Sequence, residues 1–227
     1  MTKRPSKPIF EKVAICLSVI SLAYLLLVTA FFQVYQDEQF YINQYEKNGA
    51  ATTLGKENAT AITENLLTYL NTEKYVYEDK GKLTYFTESE KSHLADVKQI
   101  FNILSDLYYL SLLIVTFSII WLITQTKRWQ HSLATILFYG GIISIAFILL
   151  LLLAVALNFD KAFLTFHELL FPQGNYSFPH DSLLKTLYPD TFFVSFTYRI
   201  IFYVVLSSIL ATFAGFTWKK HLKKKST

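Results

Sequence analysis

The segment that decides the fold runs from Leu133 to Leu157 and reads LATILFYGGIISIAFILLLLLAVAL. It contains no Lys, Arg, Asp or Glu, and about 20 helical residues are enough to cross the roughly 30 Å hydrocarbon core of a bilayer. Three further segments are apolar and similarly long: Val13–Phe32, Leu107–Thr124 and Phe192–Trp218. The 227-residue chain is 52% hydrophobic and its mean hydropathy is +0.32, values typical of membrane proteins. We therefore predict an all-α membrane protein with four transmembrane helices, forming a single integral membrane domain over residues 1–227.

Basic residues are concentrated in three regions that a four-span topology places on one side of the membrane: the N-terminal tail, the loop after span two and the C-terminal tail. These residues are Lys3, Arg4, Lys7, Lys12, Lys127, Arg128, Lys219, Lys220, Lys223, Lys224 and Lys225. The connector over residues 36–99 has eleven acids and seven lysines, and connector 159–190 is also acidic. The positive-inside rule then predicts cytoplasmic N and C termini and two outward-facing connectors. Basic flanks of this kind indicate anionic lipids as partners and not nucleic acid.

The first span follows several basic residues, as the core of a secretory signal peptide does. Its apolar run of about 20 residues is longer than the usual core of such peptides, so we expect a retained anchor. The single cysteine, Cys16, lies in this span and can form no intramolecular disulfide. We expect it to be a small buried residue.

The long connector between spans one and two contains patterns typical of a folded cap. Asn48–Gly55 is predicted to be a polar loop, and Asn58–Leu70 has the apolar spacing of an amphipathic helix. Tyr75–Phe86 fits either a small hairpin or an irregular loop, so the extracytoplasmic cap is predicted to be α or α+β. Aromatic residues that follow span one closely are expected to form an interfacial belt: Phe40, Tyr41 and Tyr45.

A capping box at Thr87 and Glu90 predicts the start of a helix that continues unbroken into span two. His93 and Asp96 are three residues apart on this helix, so they share a face. A carboxylate one turn from an imidazole can hold its tautomer and orientation. The alternative is a solvated helix face that carries an incidental histidine.

The connector before span four contains His167 in a stretch rich in aromatic residues. The helical spacing of Phe163, Phe166 and Leu170 predicts a short interfacial helix, which places His167 near the lipid headgroups. A second short helix is predicted over Ser182–Leu187. In span four, Arg199 is an ionisable residue about two turns from the outer end, which marks either a functional site or an arginine that reaches to lipid phosphates. In span three, the pair Gly140-Gly141 indicates close helix packing.

The sequence has no nucleotide-binding loop, no HExxH or CxxC metal motif and no GxSxG nucleophile motif. A metal site built from two histidines and two carboxylates is conceivable, but these residues come from distant segments without a known ligand spacing: His93, Asp96, His167 and Glu168. We expect no metal and no cofactor.

Three stretches together resemble one known family, the lipoprotein intramolecular transacylases (Lit) of Gram-positive bacteria. Residues 166–171 (FHELLF) are similar to its FHExxF motif, and residues 87–98 (TESEKSHLADVK) are similar to its ExxHxxDV element before the second span. Residues 187–193 (LYPDTFF) resemble the sequence that leads into its last span. The four-span layout also matches, so the resemblance covers nearly the whole chain. Members of the family usually carry Trp where Tyr176 falls, a departure expected to change packing but not chemistry.

The resemblance implies an acyltransferase of the cell membrane whose active site faces outward. Its partners are membrane lipids and lipoproteins whose N-terminal cysteine carries a diacylglyceryl group. The sn-2 acyl chain moves to the α-amino group of the same cysteine and leaves a lyso-form lipoprotein. A monomer without a cofactor is expected. The expected site residues, from these motifs and from the position of span-four residues, are His167 and His93 as catalytic groups, Asp96, Glu168, Tyr198 and Arg199 as supporting groups, and Phe166, Phe171, Tyr188 and Tyr203 as substrate contacts.

A histidine suits this reaction, because an imidazole can accept the ammonium proton and return it to the leaving alkoxide. Amine and ester are tethered in one substrate, so no protein nucleophile is needed. Two other classes remain open. A non-enzymatic accessory or sensor protein would bind a partner through its outer connector, and its histidines need not converge. A small transporter would need more polar residues inside its spans than this chain offers.

Overall fold

The computed structural model describes residues 8–71 and 83–225, and the regular elements within them are all α-helices. In chain order these are α1 (Pro8–Tyr35), α2 (Glu38–Asn48), α3 (Ala50–Leu54), α4 (Lys56–Asn71), α5 (Glu88–Gln125), α6 (Trp129–Leu157), α7 (Phe159–Leu170), α8 (Leu183–Leu187) and α9 (Asp190–Lys224). Four of them, α1, α5, α6 and α9, are long and apolar enough to cross a membrane. The four predicted spans are therefore confirmed as helices.

The chain divides into two compact units. The membrane unit comprises residues 1–33, 106–153 and 200–227, and the site unit comprises residues 34–105 and 154–199. Each of the four long helices contributes residues to both units.

Helices α2, α3 and α4 pack together in the site unit around an aromatic core. Phe40, Tyr41 and Tyr45 are only 3%, 6% and 0% exposed, so the prediction that they form an interfacial belt is wrong. Helix α2 turns these rings toward α4 and Tyr188, where the Tyr45 hydroxyl donates to Thr63 Oγ1. Burial of the rings is favoured because each large aromatic side chain removes much apolar surface from water.

Short capping interactions set the boundaries of these helices. Asp37 precedes α2, and its Oδ1 accepts a hydrogen bond of 3.0 Å from the Phe40 amide. Gly49 and Gly55, both at positive φ, flank the short helix α3. The stretch predicted as a polar loop, Asn48–Gly55, therefore contains one helical turn. The predicted helix over Asn58–Leu70 is confirmed and begins slightly earlier, at Lys56.

Helix α5 begins with the predicted capping box. The Thr87 amide donates to Glu90 Oε2 at 2.8 Å, and the Glu90 amide donates to Thr87 Oγ1 at 3.3 Å. The helix then continues without a break to Gln125, as predicted. The Glu90 side chain is 1% exposed, and its second oxygen accepts a hydrogen bond of 2.9 Å from the Leu184 amide at the start of α8. One carboxylate thus caps two helices.

The hairpin predicted over Tyr75–Phe86 lies mostly outside the described residues. Its second proposed strand, Leu83–Phe86, is a turn in which the Phe86 amide donates to the Leu83 carbonyl at 3.0 Å. Within the part of the chain that the structure describes, the α alternative is therefore correct and the α+β alternative is not supported.

The membrane unit is held by small residues where its helices meet. A Cβ atom on Gly141 would lie 2.2 Å from Thr212 Oγ1 and 2.6 Å from the Ser208 carbonyl oxygen. The Ser144 hydroxyl donates to the Ala23 carbonyl of α1 at 3.1 Å. Close packing at the predicted Gly140-Gly141 pair is thereby confirmed. Cys16, by contrast, is exposed on the surface of this unit, so the prediction that it is buried is wrong.

The close approach of α6 and α9 at Gly215 can be tested by adding one methyl group. A Cβ atom there would lie 2.5 to 2.9 Å from backbone and Cα atoms of Ala134 and Phe138, which no side-chain rotation can relieve. We expect Gly215→Ala to destabilise the protein by about 1–3 kcal/mol and to lower its thermal midpoint in detergent by several degrees. Ala214→Leu, a larger change at the exposed neighbouring position, is the control and should leave the midpoint nearly unchanged. Equal midpoints for the wild type and Gly215→Ala would contradict this packing.

Candidate active site

The His167 ring lies in the last turns of α7, where a backbone contact determines its tautomer. Its Nδ1 is 2.8 Å from the carbonyl oxygen of Phe163, one turn earlier. A carbonyl oxygen can only accept, so Nδ1 carries the proton and donates it. In the neutral ring, Nε2 then has a free lone pair and can act as a base.

The His93 ring lies close to His167, although the two residues are 74 positions apart in the chain. The ring centroids are 6.4 Å apart and the ring planes differ by 22°. His93 is on α5, six residues after Thr87, and the capping box at Thr87 fixes where that helix begins. The structure therefore brings together the two histidines predicted to share a site, while their catalytic role remains a prediction.

Aromatic side chains surround both imidazoles. Phe171 is 3% exposed, and its ring centroid lies 4.6 Å from that of His93 and 5.6 Å from that of His167. Tyr176 lies 5.3 Å from the His167 ring, and Phe178 lies 5.4 Å from the His93 ring. Among the described residues, Nδ1 of His93 is buried in these surroundings and has no hydrogen-bond partner. The site is thus mainly apolar around two groups that can exchange protons.

Burial makes both histidines weaker bases than an exposed imidazole. His93, which precedes the apolar part of α5, has its pKa lowered to about 4, first by burial and then by His167, although Asp96 acts in the opposite direction. The pKa of His167 is also lowered by burial, against the effect of its hydrogen bond to Phe163. Both rings are therefore neutral near pH 7.

Asp96 does not orient His93, contrary to the prediction. Its Oδ2 accepts hydrogen bonds from Gln173 Nε2 at 2.6 Å and from Asn175 Nδ2 at 2.5 Å. The carboxylate is on the expected helix face, but amide donors from the segment after α7 occupy it. Asp96 therefore holds the chain next to Tyr176 in place against the site.

The other predicted residues of the site unit lie in different surroundings. Phe166 and Glu168 flank His167 in sequence and both are exposed, although the Phe166 ring centroid lies 5.4 Å from that of His167. Arg199 donates to Asp37 Oδ2 and lies over the Phe40 ring, with 5.2 Å from Cζ to the ring centroid. A carboxylate that also caps α2 is thus a partner of this arginine.

The three predicted tyrosines differ in their surroundings. Tyr188 is 8% exposed in the aromatic core, and its hydroxyl lies 2.6 Å from Thr63 Oγ1. Tyr198 is 50% exposed on α9. Tyr203 belongs to the membrane unit, where it packs against Ile201 and Val204. In the described part of the chain, no group of three His, Cys, Asp or Glu side chains is arranged to hold a metal ion.

Several residues at the site were missed from the sequence: Glu90 as a link to α8, Gln173 and Asn175 as donors to Asp96, and Phe178 as a wall of the pocket. Asn175 lies within a glycosylation-type sequon, which is a feature that the sequence shows. That motif indicates a surface asparagine and not one whose amide donates to a carboxylate of the site.

Comparison with known proteins identifies the family. The sequence model described as "Lipoprotein intramolecular transacylase Lit" matches residues 14–193, which is well over half of the chain. The chain belongs to the Lit family. The solved structure of membrane-integral Lit from Bacillus cereus is 21% identical to this Lit-family chain and superposes with a TM-score of 0.79, covering 97% of this chain and 99% of that one.

Two further structures of the Bacillus cereus protein, each with one histidine substituted, give TM-scores of 0.78 and 0.76 at the same identity, covering 97% of this chain and 96% of each of those. At this level of identity the likeness shows the fold. An uncharacterized protein of Aquifex aeolicus (strain VF5) is 29% identical over 140 residues. That alignment spans 62% of this chain and 61% of the relative's length.

Burial of the neutral His93 ring has a consequence for stability. An unfolded histidine has a pKa near 6.5, so between about pH 6.5 and pH 4 the unfolded chain binds a proton that His93 in the folded chain does not. Stability is therefore lost as the pH falls through this window. The thermal midpoint of the wild type should fall when the pH is lowered from 7 to 4.5. Over the same pH range, the midpoint of His93→Phe should fall less, by a difference of roughly 3 °C or more. His180→Phe, at an exposed histidine, is the control. An unchanged pH dependence in His93→Phe would contradict burial of the neutral ring.

Proposed function

We propose that this protein moves the sn-2 acyl chain of a diacylglyceryl-modified lipoprotein to the α-amino group of the same cysteine. The observation that carries the proposal is the pair of neutral imidazoles, with ring centroids 6.4 Å apart, in an aromatic pocket. Membership of the Lit family supports the lipoprotein as substrate and acyl transfer as the reaction.

In this proposal His167 is the general base. Its Nδ1 donates to the Phe163 carbonyl, so Nε2 is free to take a proton from the attacking amine. The bond between nitrogen and the acyl carbon forms, and the bond from that carbon to the sn-2 oxygen breaks. The proton held at Nε2 then passes to the departing glyceryl oxygen. A neutral imidazole is required at the start, which agrees with the lowered pKa of His167.

His93 acts as a hydrogen-bonding group and not as a second base. Burial lowers its pKa to about 4, so the ring stays neutral and accepts protons poorly near pH 7. A neutral imidazole can still donate one N–H to the carbonyl oxygen as negative charge develops there. Its buried Nδ1 has no hydrogen-bond partner among the described residues, and bound substrate is a suitable one.

The site is proposed to lie on the extracytoplasmic side of a Gram-positive cell membrane. The distribution of Lys and Arg supports cytoplasmic termini, which would place both connectors that supply the site outside. Helix α7 has no buried residues and exposes Leu164, Phe166 and Leu169, as a helix lying among lipid headgroups would. Its position near the headgroups would bring His167 to the depth at which the amine of an anchored lipoprotein lies.

A non-enzymatic accessory protein is the weaker reading. It requires no contact between His93 and His167, and it gives no reason to bury Nδ1 of His93 beside Phe171 without a hydrogen bond from the described residues. A binding surface for a partner protein would be preserved when either ring is replaced, whereas acyl transfer would not.

Substitution of His167 tests the proposal. His167→Gln keeps some hydrogen bonding but cannot relay a proton, so we expect lipoprotein conversion to fall by about 10²–10⁴-fold. The measurement is the mass of the N-terminal lipopeptide from a reporter lipoprotein, in cells that lack any other copy of the enzyme.

The matched control is His180→Gln, which changes an exposed histidine of the same connector and should convert the reporter fully. A well-expressed His167→Gln variant that also converts the reporter fully would show that the base lies elsewhere, and His93→Gln would be the next variant to measure.

A further inference from the structure

The segment that joins α7 to α8, residues 171–182, is attached at both ends to the helix that carries His93. We call it the aromatic loop. Near its start, Gln173 and Asn175 donate to Asp96, which lies three residues after His93 on α5. Just beyond its end, the Leu184 amide donates to the buried carboxylate of Glu90, which lies three residues before His93. The two carboxylates therefore lie one turn to either side of the histidine on the same helix.

Between these two attachments the loop places aromatic rings on both imidazoles. Tyr176 directly follows Asn175, and its ring contacts His167, while Phe178 contacts His93. Asn175 also lies 3.4 Å from Ser92 Oγ, which adds a second contact to α5. Attachment of Asn175 to Asp96 thus restricts where the ring of the next residue, Tyr176, can lie.

The proposed reaction has a competitor that this arrangement can suppress. A histidine base that activates an amine can also activate water, and water attacking the same ester carbonyl would release a free fatty acid. Amine attack is favoured when the pocket holds the amine and excludes water. Around the two histidines the pocket is apolar, with Phe171 almost fully buried and Nδ1 of His93 without a hydrogen-bond partner.

We propose that the aromatic loop, held by the hydrogen bonds from Gln173 and Asn175 to Asp96, determines whether the acyl chain goes to the amine or to water. Asp96 and Asn175 are positioning residues, since they touch the loop and not the reacting atoms. This inference rests on the proposed function. In this inference the Asp96 contact affects which acceptor receives the acyl chain, and not only how fast the reaction runs.

The two outcomes differ only in the acceptor. In transfer, the amine nitrogen bonds to the acyl carbon, the bond to the sn-2 oxygen breaks, and a proton from the amine ends on that oxygen. In hydrolysis, a water oxygen bonds to the acyl carbon, the same bond breaks, and a proton from water ends on the glyceryl oxygen. The products are then a fatty acid and a lyso lipopeptide with a free amine.

The test measures both products from one synthetic diacylglyceryl-cysteine lipopeptide, with the purified full-length protein in lipid vesicles prepared in ¹⁸O-labelled water. Hydrolysis puts one ¹⁸O atom into the fatty acid, whereas transfer puts none into the amide. Asn175→Asp sets two carboxylates against each other, so we expect it to raise the ratio of labelled fatty acid to amide by about tenfold, the factor for loss of one charge-assisted hydrogen bond.

The paired substitution Asp96→Asn with Asn175→Asp restores an amide-to-carboxylate hydrogen bond in the reverse direction, and it should return the ratio toward the wild-type value. Asp181→Asn, the same change as Asp96→Asn but at an exposed position of the loop, should leave the ratio unchanged. Both products come from the same folded molecules, so a loss of folded protein does not alter the ratio.

The possible outcomes separate the two proposals. If the wild type forms amide and Asn175→Asp leaves the ratio unchanged, or if the paired substitution has the same ratio as Asn175→Asp alone, the loop does not control the acceptor and the inference is wrong. If the wild type forms no amide at all, the proposed function itself fails.

Discussion

The contact between two partly buried imidazole rings is the constraint on which the rest of the site depends. His93 and His167 come from segments on either side of two membrane-spanning stretches, and Phe171 packs against both rings. Burial keeps both rings neutral, and the Phe163 carbonyl holds the proton of His167 at Nδ1. A base with a free lone pair in an apolar site follows from these contacts.

Local patterns predicted the elements well because their physical causes are local. Four apolar segments were predicted and four long helices are found, and the capping box at Thr87 and Glu90 forms as its sequence indicates. The two histidines were associated through family motifs, since no spacing rule relates positions 74 residues apart. Their proximity depends on the packing of α5 and α7, which periodicity cannot specify.

Partners of charged and polar side chains were predicted poorly, because which groups meet depends on the three-dimensional packing of distant segments. Asp96 is on the predicted face, yet it binds Gln173 and Asn175 from a loop whose course no pattern revealed. Arg199 was expected to contact lipid or substrate, but it forms an ion pair with Asp37. Asp37 is held in position because its side chain also caps the start of α2. The aromatic residues after span one were assigned to an interface because composition does not distinguish an interfacial ring from a buried one.

The central claim is that His167 is neutral and carries its proton on Nδ1, so that Nε2 accepts the proton of the substrate amine. The most direct measurement is ¹⁵N solid-state NMR of the histidine-labelled protein in lipid bilayers at pH 7, with His167→Gln used to assign the signal. The account predicts a neutral His167 ring with a protonated Nδ1 and an unprotonated Nε2. A charged ring, or a neutral ring with its proton on Nε2, would contradict it.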